Sequence, residues 1–305
     1  MQIDNLSSSY ILTADIGGSH ITAGICDLET HTILQRSITR VEVDSKGRAN
    51  DILTSWETAF EQVLKKNAAL PVSGLSVAMP GPFDYANGIC YIKGLNKYEA
   101  LYGMGIKQYL ADRLKLDPQL VRFRNDAEST IAGEVLTGAG ENYTNVMGVT
   151  LGTGFGSAYS ENKITNDINL GSKSYRETIA DDYFSTRWFL KRYKELTGIL
   201  LTGGVKELAE LARESIVARD IFKEFAINMS DFLSLYIEQY RPEALIICGN
   251  IAKASEFFLP YLTLRLISTT IKLAQLDENA ALIGSAAMFD KVIKPVSFNS
   301  KPNYK

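Results

Sequence analysis

Cysteine and histidine are scarce in the 305-residue sequence, at three and two. Cys26, Cys90 and Cys248 each sit alone inside an apolar segment, without the paired spacing of a zinc site or a disulfide framework, and read as reduced core residues. No run of five or more lysines and arginines occurs; the formal charge is -3 and the isoelectric point is near 5.6. With no basic field for a phosphate backbone, nucleic acid is not an expected partner. Apolar runs such as 244–248 and 280–283 fall far short of the ~20 residues that cross a bilayer, so no membrane partner is expected. The opening, MQIDNLSSSY, lacks the basic start and apolar stretch of a secretory signal, which points to a cytoplasmic protein. Low-complexity linkers are missing too.

What is present is ample core material, 46% hydrophobic residues, in a chain longer than one core usually organises, so two domains are expected. Residues 10–43 read as three strands parted by Gly17-Gly18 and by Glu29-Thr30-His31. Ile52, Leu53, Trp56, Phe60, Val63 and Leu64 mark an amphipathic helix over 51–67. A strand at 74–79 stops at Pro80-Gly81-Pro82, 91–95 leads into a loop, and a helix is expected near 106–116. A strand at 120–124 then delivers Asn125-Asp126 to a helix at 127–136, closed by Gly138 as a left-handed cap. The pattern restarts with strands at 145–151 and 155–160, turning at Gly152-Thr153-Gly154. Helices are expected over 182–196, 205–214 and 220–240, strands at 244–248 and 267–273, and a last helix at 279–292 before a tail that frays at 302–305. The recurrence of the strand pattern puts the domain boundary near 124–127.

Asp15-Ile16-Gly17-Gly18-Ser19-His20 has a strand on each side. In dinucleotide folds and P-loops the glycines instead open a helix that receives the anion. A glycine hairpin lets the N–H groups of Gly17, Gly18 and Ser19 approach phosphate oxygens with no Cβ in the way, with Asp15 at the mouth to hold a hydrated Mg²⁺. A Gly-Gly pair between strands also makes a plain hairpin turn. Leu151-Gly152-Thr153-Gly154-Phe155-Gly156 repeats the design in the second half, and two such turns can grip a polyphosphate from both sides of a cleft. Asn125-Asp126 would orient an alcohol and accept its proton, or else cap the helix that follows. Gly249-Asn250, after the strand at 244–248, would let an adenine ring lie against backbone; such strand-glycine-helix junctions are also commonplace.

In this order and at these separations, the four elements resemble the ROK family of sugar kinases and sugar-responsive repressors, within the hexokinase and actin-like superfamily. The resemblance spans about 13–289 and rests on TADIGGSHITAGICDL, VAMPGPFDYANGICY, RNDAESTIAGEVLTGAG, LGTGFGSAYS, LIICGNIA and AALIGSAAM. It implies an α/β, two-domain actin-like ATPase (ribonuclease H-like) fold with an interdomain cleft. The domains are expected at 1–124 and 125–278, with a C-terminal helix, 279–305, crossing back onto the first. It further implies a glucokinase-like carbohydrate kinase that uses ATP and Mg²⁺ to phosphorylate a hydroxyl of a hexose or hexosamine, and a homodimer by family analogy. Residue by residue, Asp126 becomes the catalytic base and Asn125 and Asn96 sugar ligands. Gly17, Gly18, Ser19, Gly152, Thr153 and Gly154 face the ATP phosphates, and Gly249 and Asn250 the adenosine.

Three departures qualify the likeness. Many members carry a Glu-x-Gly-His sugar motif followed by a zinc-holding cysteine cluster, whereas residues 169–185 read NLGSKSYRETIADDYFS, with neither histidine nor cysteine. No zinc site and an atypical sugar pocket are therefore expected, with Glu177 as the replacement glutamate or as an ordinary surface carboxylate. His20 stands where lysine is frequent and reads as a strand-edge residue; Asn250 stands in a usually glycine-rich turn. His31 falls in a polar turn and is expected in solvent. Two alternatives accompany the kinase. One is a sugar-responsive transcriptional regulator, for whose helix-turn-helix the roughly ten residues before the first strand leave no room. The other is a non-catalytic sugar-binding protein, suggested by the altered 169–185 segment.

Overall fold

The computed structural model describes residues 8–290. Two mixed sheets of one plan organise them. In the first, β1 (Tyr10–Ile16) turns at its glycines and returns antiparallel as β2 (His20–Asp27), whose outer edge takes β3 (Thr32–Ile33) and β4 (Thr39–Glu42). The third expected strand is thus two short ones, parted by a 3-10 turn at Gln35–Ser37. The Ser37 hydroxyl there accepts the Ile25 N–H at 2.8 Å, so that buried donor stays paired across the interruption. α1 (Ala49–Lys66) buries Ile52, Leu53, Trp56, Ala59, Phe60 and Val63, a stripe at helical spacing in which each large side chain contributes about 1.5–3 kcal/mol. β5 (Val72–Met79) lies parallel to β1, followed by a small unforeseen hairpin, β6 (Phe83–Asp84) with β7 (Ile89–Cys90). α2 (Ile106–Leu114) then leads to β8 (Val121–Asn125), parallel to β5.

α3 (Asp126–Thr137) opens the second half. β9 (Asn145–Leu151) and β10 (Phe155–Glu161) form its hairpin, with β11 (Ile164–Asp167) outside them. A two-residue pair, β12 (Ser174–Tyr175) and β13 (Thr178–Ile179), precedes four helices: α4 (Ala180–Tyr183), α5 (Thr186–Thr197), α6 (Gly204–Leu211) and α7 (Ile216–Tyr240). β14 (Ala244–Cys248), α8 (Ser255–Arg265), β15 (Thr270–Leu273) and α9 (Asn279–Ala286) complete the described chain. The strand orders are β3-β2-β1-β5-β8 and β11-β10-β9-β14-β15. Each sheet is therefore an antiparallel hairpin at one side continued by parallel strands at the other, the same unit twice. An aromatic cluster including Phe184, Phe189, Phe222, Phe225 and Phe258 fills the second core.

Several expectations are corrected. The helix read over 182–196 is two, because Ser185 breaks it with extended backbone. α7 starts four residues earlier than 220, where the Ser215 hydroxyl caps it by accepting the Ala218 N–H at 3.3 Å. α8 went unassigned in the sequence because Pro260 interrupts its donors, and β15 begins at Thr270 rather than 267. His31 is half-buried, its Nε2 2.8 Å from the Asp290 carboxylate, and that hydrogen bond raises its pKa. Residues 291–305, with the end of the expected last helix and the expected fraying, lie outside the described residues. Gly138 is not a left-handed cap, since its φ is -120°. A Cβ there would overlap the carboxylate of Glu134, and glycine is what makes room for it.

That carboxylate is fully buried. It accepts N–H groups from Ala139 at 2.9 Å, Gln275 at 2.9 Å and Leu276 at 2.8 Å, tying α3 to the segment that enters α9. α3 packs Ile131 and Val135 on the second sheet, and α9 packs Leu282, Ile283 and Ala286 against Ile11 and Cys26 of the first. The two helices meet backbone to backbone: a Cβ on Gly133 would overlap the Ala280 carbonyl, and one on Gly284 the Ser129 carbonyl. Neither neighbour is a flexible side chain that could yield. Gly284→Ala should therefore cost about 3 kcal/mol, read as a lower urea midpoint; an unchanged midpoint would mean that the helices part freely.

Candidate active site

A cleft of about 840 Å³ runs between the two glycine turns. Gly17 closes the first by donating to the His20 carbonyl at 2.9 Å, while its own carbonyl accepts the Tyr98 hydroxyl and that of Gly18 accepts the Ser45 hydroxyl at 2.5 Å. Gly152 closes the second by donating to the Gly154 carbonyl at 3.0 Å, while its carbonyl accepts both the N–H and the hydroxyl of Thr186 at 2.8 and 2.9 Å. In both turns other elements occupy the acceptors. The N–H groups of Gly18, Ser19, Thr153 and Gly154 find no acceptor among the described residues. Successive free N–H groups in a turn make an anion-binding surface.

Gly18 and Gly152 are not forced by backbone conformation, since neither has a positive φ. Nor are they forced by packing, because a Cβ on either would meet nothing within 4 Å. Their absent side chains keep the wall of the cleft at backbone level. Gly249 is the opposite case: its φ is 89° and a Cβ would overlap the Leu151 carbonyl, so the chain itself requires glycine there. Gly249 and Asn250 both line the cleft nonetheless.

β8 ends at Asn125 and α3 begins at Asp126, so both residues stand at the carboxyl end of a parallel strand. The Asn125 side chain is the helix cap, accepting the Glu128 N–H at 3.1 Å, and its amide donates to the Tyr85 hydroxyl at 3.2 Å. Tyr85 in turn donates to the Met79 carbonyl at 3.1 Å, which fixes the orientation of that amide. Asp126 lines the cleft half-buried, in the first turn of α3, its side chain accepting the Ala127 N–H at 2.8 Å. Asp15, at the end of β1, has its carboxyl pushed up to about 7, first by burial and then by the charges of Asp126 and Glu278, against the opposing pull of Arg40. A carboxylate so disfavoured as an anion suits a divalent cation that would neutralise it.

Of the remaining predicted residues, Ser19 is exposed and its hydroxyl pairs with His20 Nδ1 at 2.7 Å. Asn96 is exposed with φ 57°, its N–H donating to Glu99 at 2.8 Å. Glu177 is not brought to the cleft: it lines a separate groove of about 650 Å³ with Tyr183, whose hydroxyl it accepts, and Arg187. Cleft residues that the sequence reading missed include Tyr85, Lys97, Asp167, Asn169 and Asp181. Tyr85 stands three residues after Pro82 of the Pro80-Gly81-Pro82 stop, and Lys97 directly follows Asn96, so proximity to a singled-out motif was the available signal. Among the described residues, no three His, Cys, Asp or Glu side chains are grouped to hold a metal ion.

Two sheets of one topology, joined by crossing helices and facing each other across a cleft, define the actin-like ATPase fold. The profile of the ROK family matches residues 11–167, and the chain belongs to that family. A glucokinase of Thermotoga maritima is 22% identical over 321 positions, covering 93% of this chain and 98% of the relative. The crystal structure of a ROK family glucokinase from Streptomyces griseus, in complex with glucose and AMPPNP, superposes with a TM-score of 0.74 at 22% identity, over 92% of this chain and 98% of that one. A ROK family transcriptional regulator, a homologue of the E. coli MLC protein, superposes with a TM-score of 0.76 at 15% identity, over 92% of this chain and 78% of the other.

The Asp15 shift has a sign that thermal unfolding can read. Protonation is favoured in the fold, so the stability linked to this group is complete below its ordinary value of 3.8 and is lost as pH rises through about 7. Asp15→Asn should therefore melt above the parent at pH 8 and close to it at pH 4. An equal difference at both pH values would mean that the carboxyl is already neutralised by its surroundings.

Proposed function

We propose that the protein is an ATP-dependent carbohydrate kinase that transfers the γ-phosphoryl group of ATP to a hydroxyl of a hexose or hexosamine. The observation that carries this reading is the pair of glycine turns, each with N–H groups lacking an acceptor, that line one cleft with Asp15 and Asp126. Asp126 accepts the hydroxyl proton as the oxygen attacks phosphorus, and the Asn125 amide, oriented by Tyr85, steadies the sugar together with Asn96. The N–H groups of Gly18, Ser19, Thr153 and Gly154 receive phosphate oxygens and hold the charge that spreads over them during transfer. The adenosine lies along Gly249 and Asn250. Asp15 would hold Mg²⁺ through its water shell, and that ion would supply neutralisation of the phosphate charge. The lobes, 1–124 with α9 and 125–278, close on the ligands and exclude water, which limits ATP hydrolysis. Glu177, in its separate groove, has no part in this mechanism.

The likeness to a ROK transcriptional regulator, together with the altered 169–185 segment, favours a second reading in which the cleft binds sugar without turnover. ADP release from Mg²⁺-ATP across hexoses and hexosamines separates the two. Turnover with a sugar is expected, and Asp126→Ala should lower kcat by roughly 10²- to 10⁴-fold with its melting temperature kept. Full kcat in that variant would remove Asp126 from the mechanism. Sugar-dependent melting shifts without turnover would favour the binding protein.

A further inference from the structure

The cleft is lined by four aspartates, Asp15, Asp126, Asp167 and Asp181, and by a single cationic side chain, Lys97. Asp181 has its own counter-ion in Arg187. Lys97 is half-buried, yet its ammonium makes no hydrogen bond or ion pair among the described residues, including those three remaining aspartates. His20 does not line the cleft, its Nδ1 being turned to the Ser19 hydroxyl.

The backbone around Lys97 is held in place at some cost. Asn96 and Tyr98, on either side of it, both have left-handed φ, 57° and 55°, a conformation unfavourable for residues other than glycine. Tyr98 is fully buried against Trp56, their ring centroids 5.6 Å apart, and its N–H donates to the Ser45 carbonyl at 2.5 Å. Its hydroxyl donates to the Gly17 carbonyl, and the Ser45 hydroxyl to that of Gly18. Lys97 is thus locked in register with the β1–β2 turn, whose Gly17 and Gly18 line the same cleft. A triphosphate entering this cleft would otherwise meet unpaired carboxylates and only neutral donors.

We propose that Lys97 is a phosphoryl-binding residue of this site. Its ammonium meets the oxygens of the group being transferred, first as the terminal phosphoryl of a nucleoside triphosphate and then as the phosphate ester of the sugar. The inference rests on the kinase reading. In the step, the bond from the γ-phosphorus to the leaving diphosphate oxygen breaks, the bond to the sugar oxygen forms, and the hydroxyl proton goes to Asp126; Lys97 contributes charge and hydrogen bonds but no proton.

The test is titration calorimetry of the full chain with AMPPNP and with ADP, both in Mg²⁺, for the parent, Lys97→Met and Lys97→Arg. Methionine keeps the apolar stem, and a retained melting temperature shows that the 96–98 segment still folds. Lys97→Met should bind ADP as the parent does and AMPPNP about 10- to 100-fold more weakly, with Lys97→Arg recovering most of the loss. Equal losses for both nucleotides, or for neither, would overturn the proposal. So would a Lys97→Met enzyme that phosphorylates neutral sugars at the parental rate and fails only with sugars bearing a carboxylate or phosphate, since the lysine would then serve the acceptor. These titrations need no turnover. A parent that binds AMPPNP and phosphorylates no sugar refutes the kinase reading, while the comparison of the two nucleotides still decides Lys97.

Discussion

The close crossing of α3 and α9 is the constraint on which the rest of the molecule depends. α3 lies on one sheet and α9 on the other, and they approach so nearly that Gly133 and Gly284 have backbone carbonyls where side chains would be. Contact at this distance is made by main chain, and it is reinforced by the buried Glu134 carboxylate, which binds three backbone N–H groups from two segments of chain. Those donors satisfy the buried Glu134 oxygens, and Gly138 clears the space they need. The N-terminus of α3 carries Asp126. Its position relative to both sheets therefore follows from this one packing contact.

The cleft is built on a division of backbone polarity. The carbonyls of Gly17, Gly18 and Gly152 are taken by Tyr98, Ser45 and Thr186, while the N–H groups of Gly18, Ser19, Thr153 and Gly154 are left without an acceptor among the described residues. Carbonyl oxygens left free would repel an anion; bound elsewhere, they leave a surface of donors. The side chains in the cleft have the contrary sign, with four aspartates against one lysine. Burial first, and then the charges of Asp126 and Glu278, disfavour ionised Asp15, and the acidic lining suits a cation bound together with a polyphosphate.

The elements that could be read from the sequence were those whose signal is local. α1 has six buried residues at helical spacing, β14 is a continuous apolar strand that matches its expected bounds, and each glycine turn stands between two apolar runs. Asn125 was legible as a cap as well as a ligand, because a short polar side chain after a strand serves a helix start whatever else it does. Where local signals conflict, reading failed. Pro260 hid α8, and Gly138 imitated a left-handed cap although its real neighbour is a carboxylate one turn back.

By itself the sequence determined the two-fold repeat of strand-glycine-strand units, the amphipathic helices and the order of the motifs, because periodicity and turn chemistry act between neighbours in the chain. Only the tertiary structure decided which of the marked residues share one cleft. It brought Asp15, Asn125, Asp126 and both turns together, added Tyr85 and Lys97, and left Glu177 in another groove. The reason is that such meetings depend on helix crossings and on side-chain hydrogen bonds between residues tens of positions apart, such as Tyr98 with Gly17 and Tyr85 with Asn125, for which the sequence carries no periodic signal.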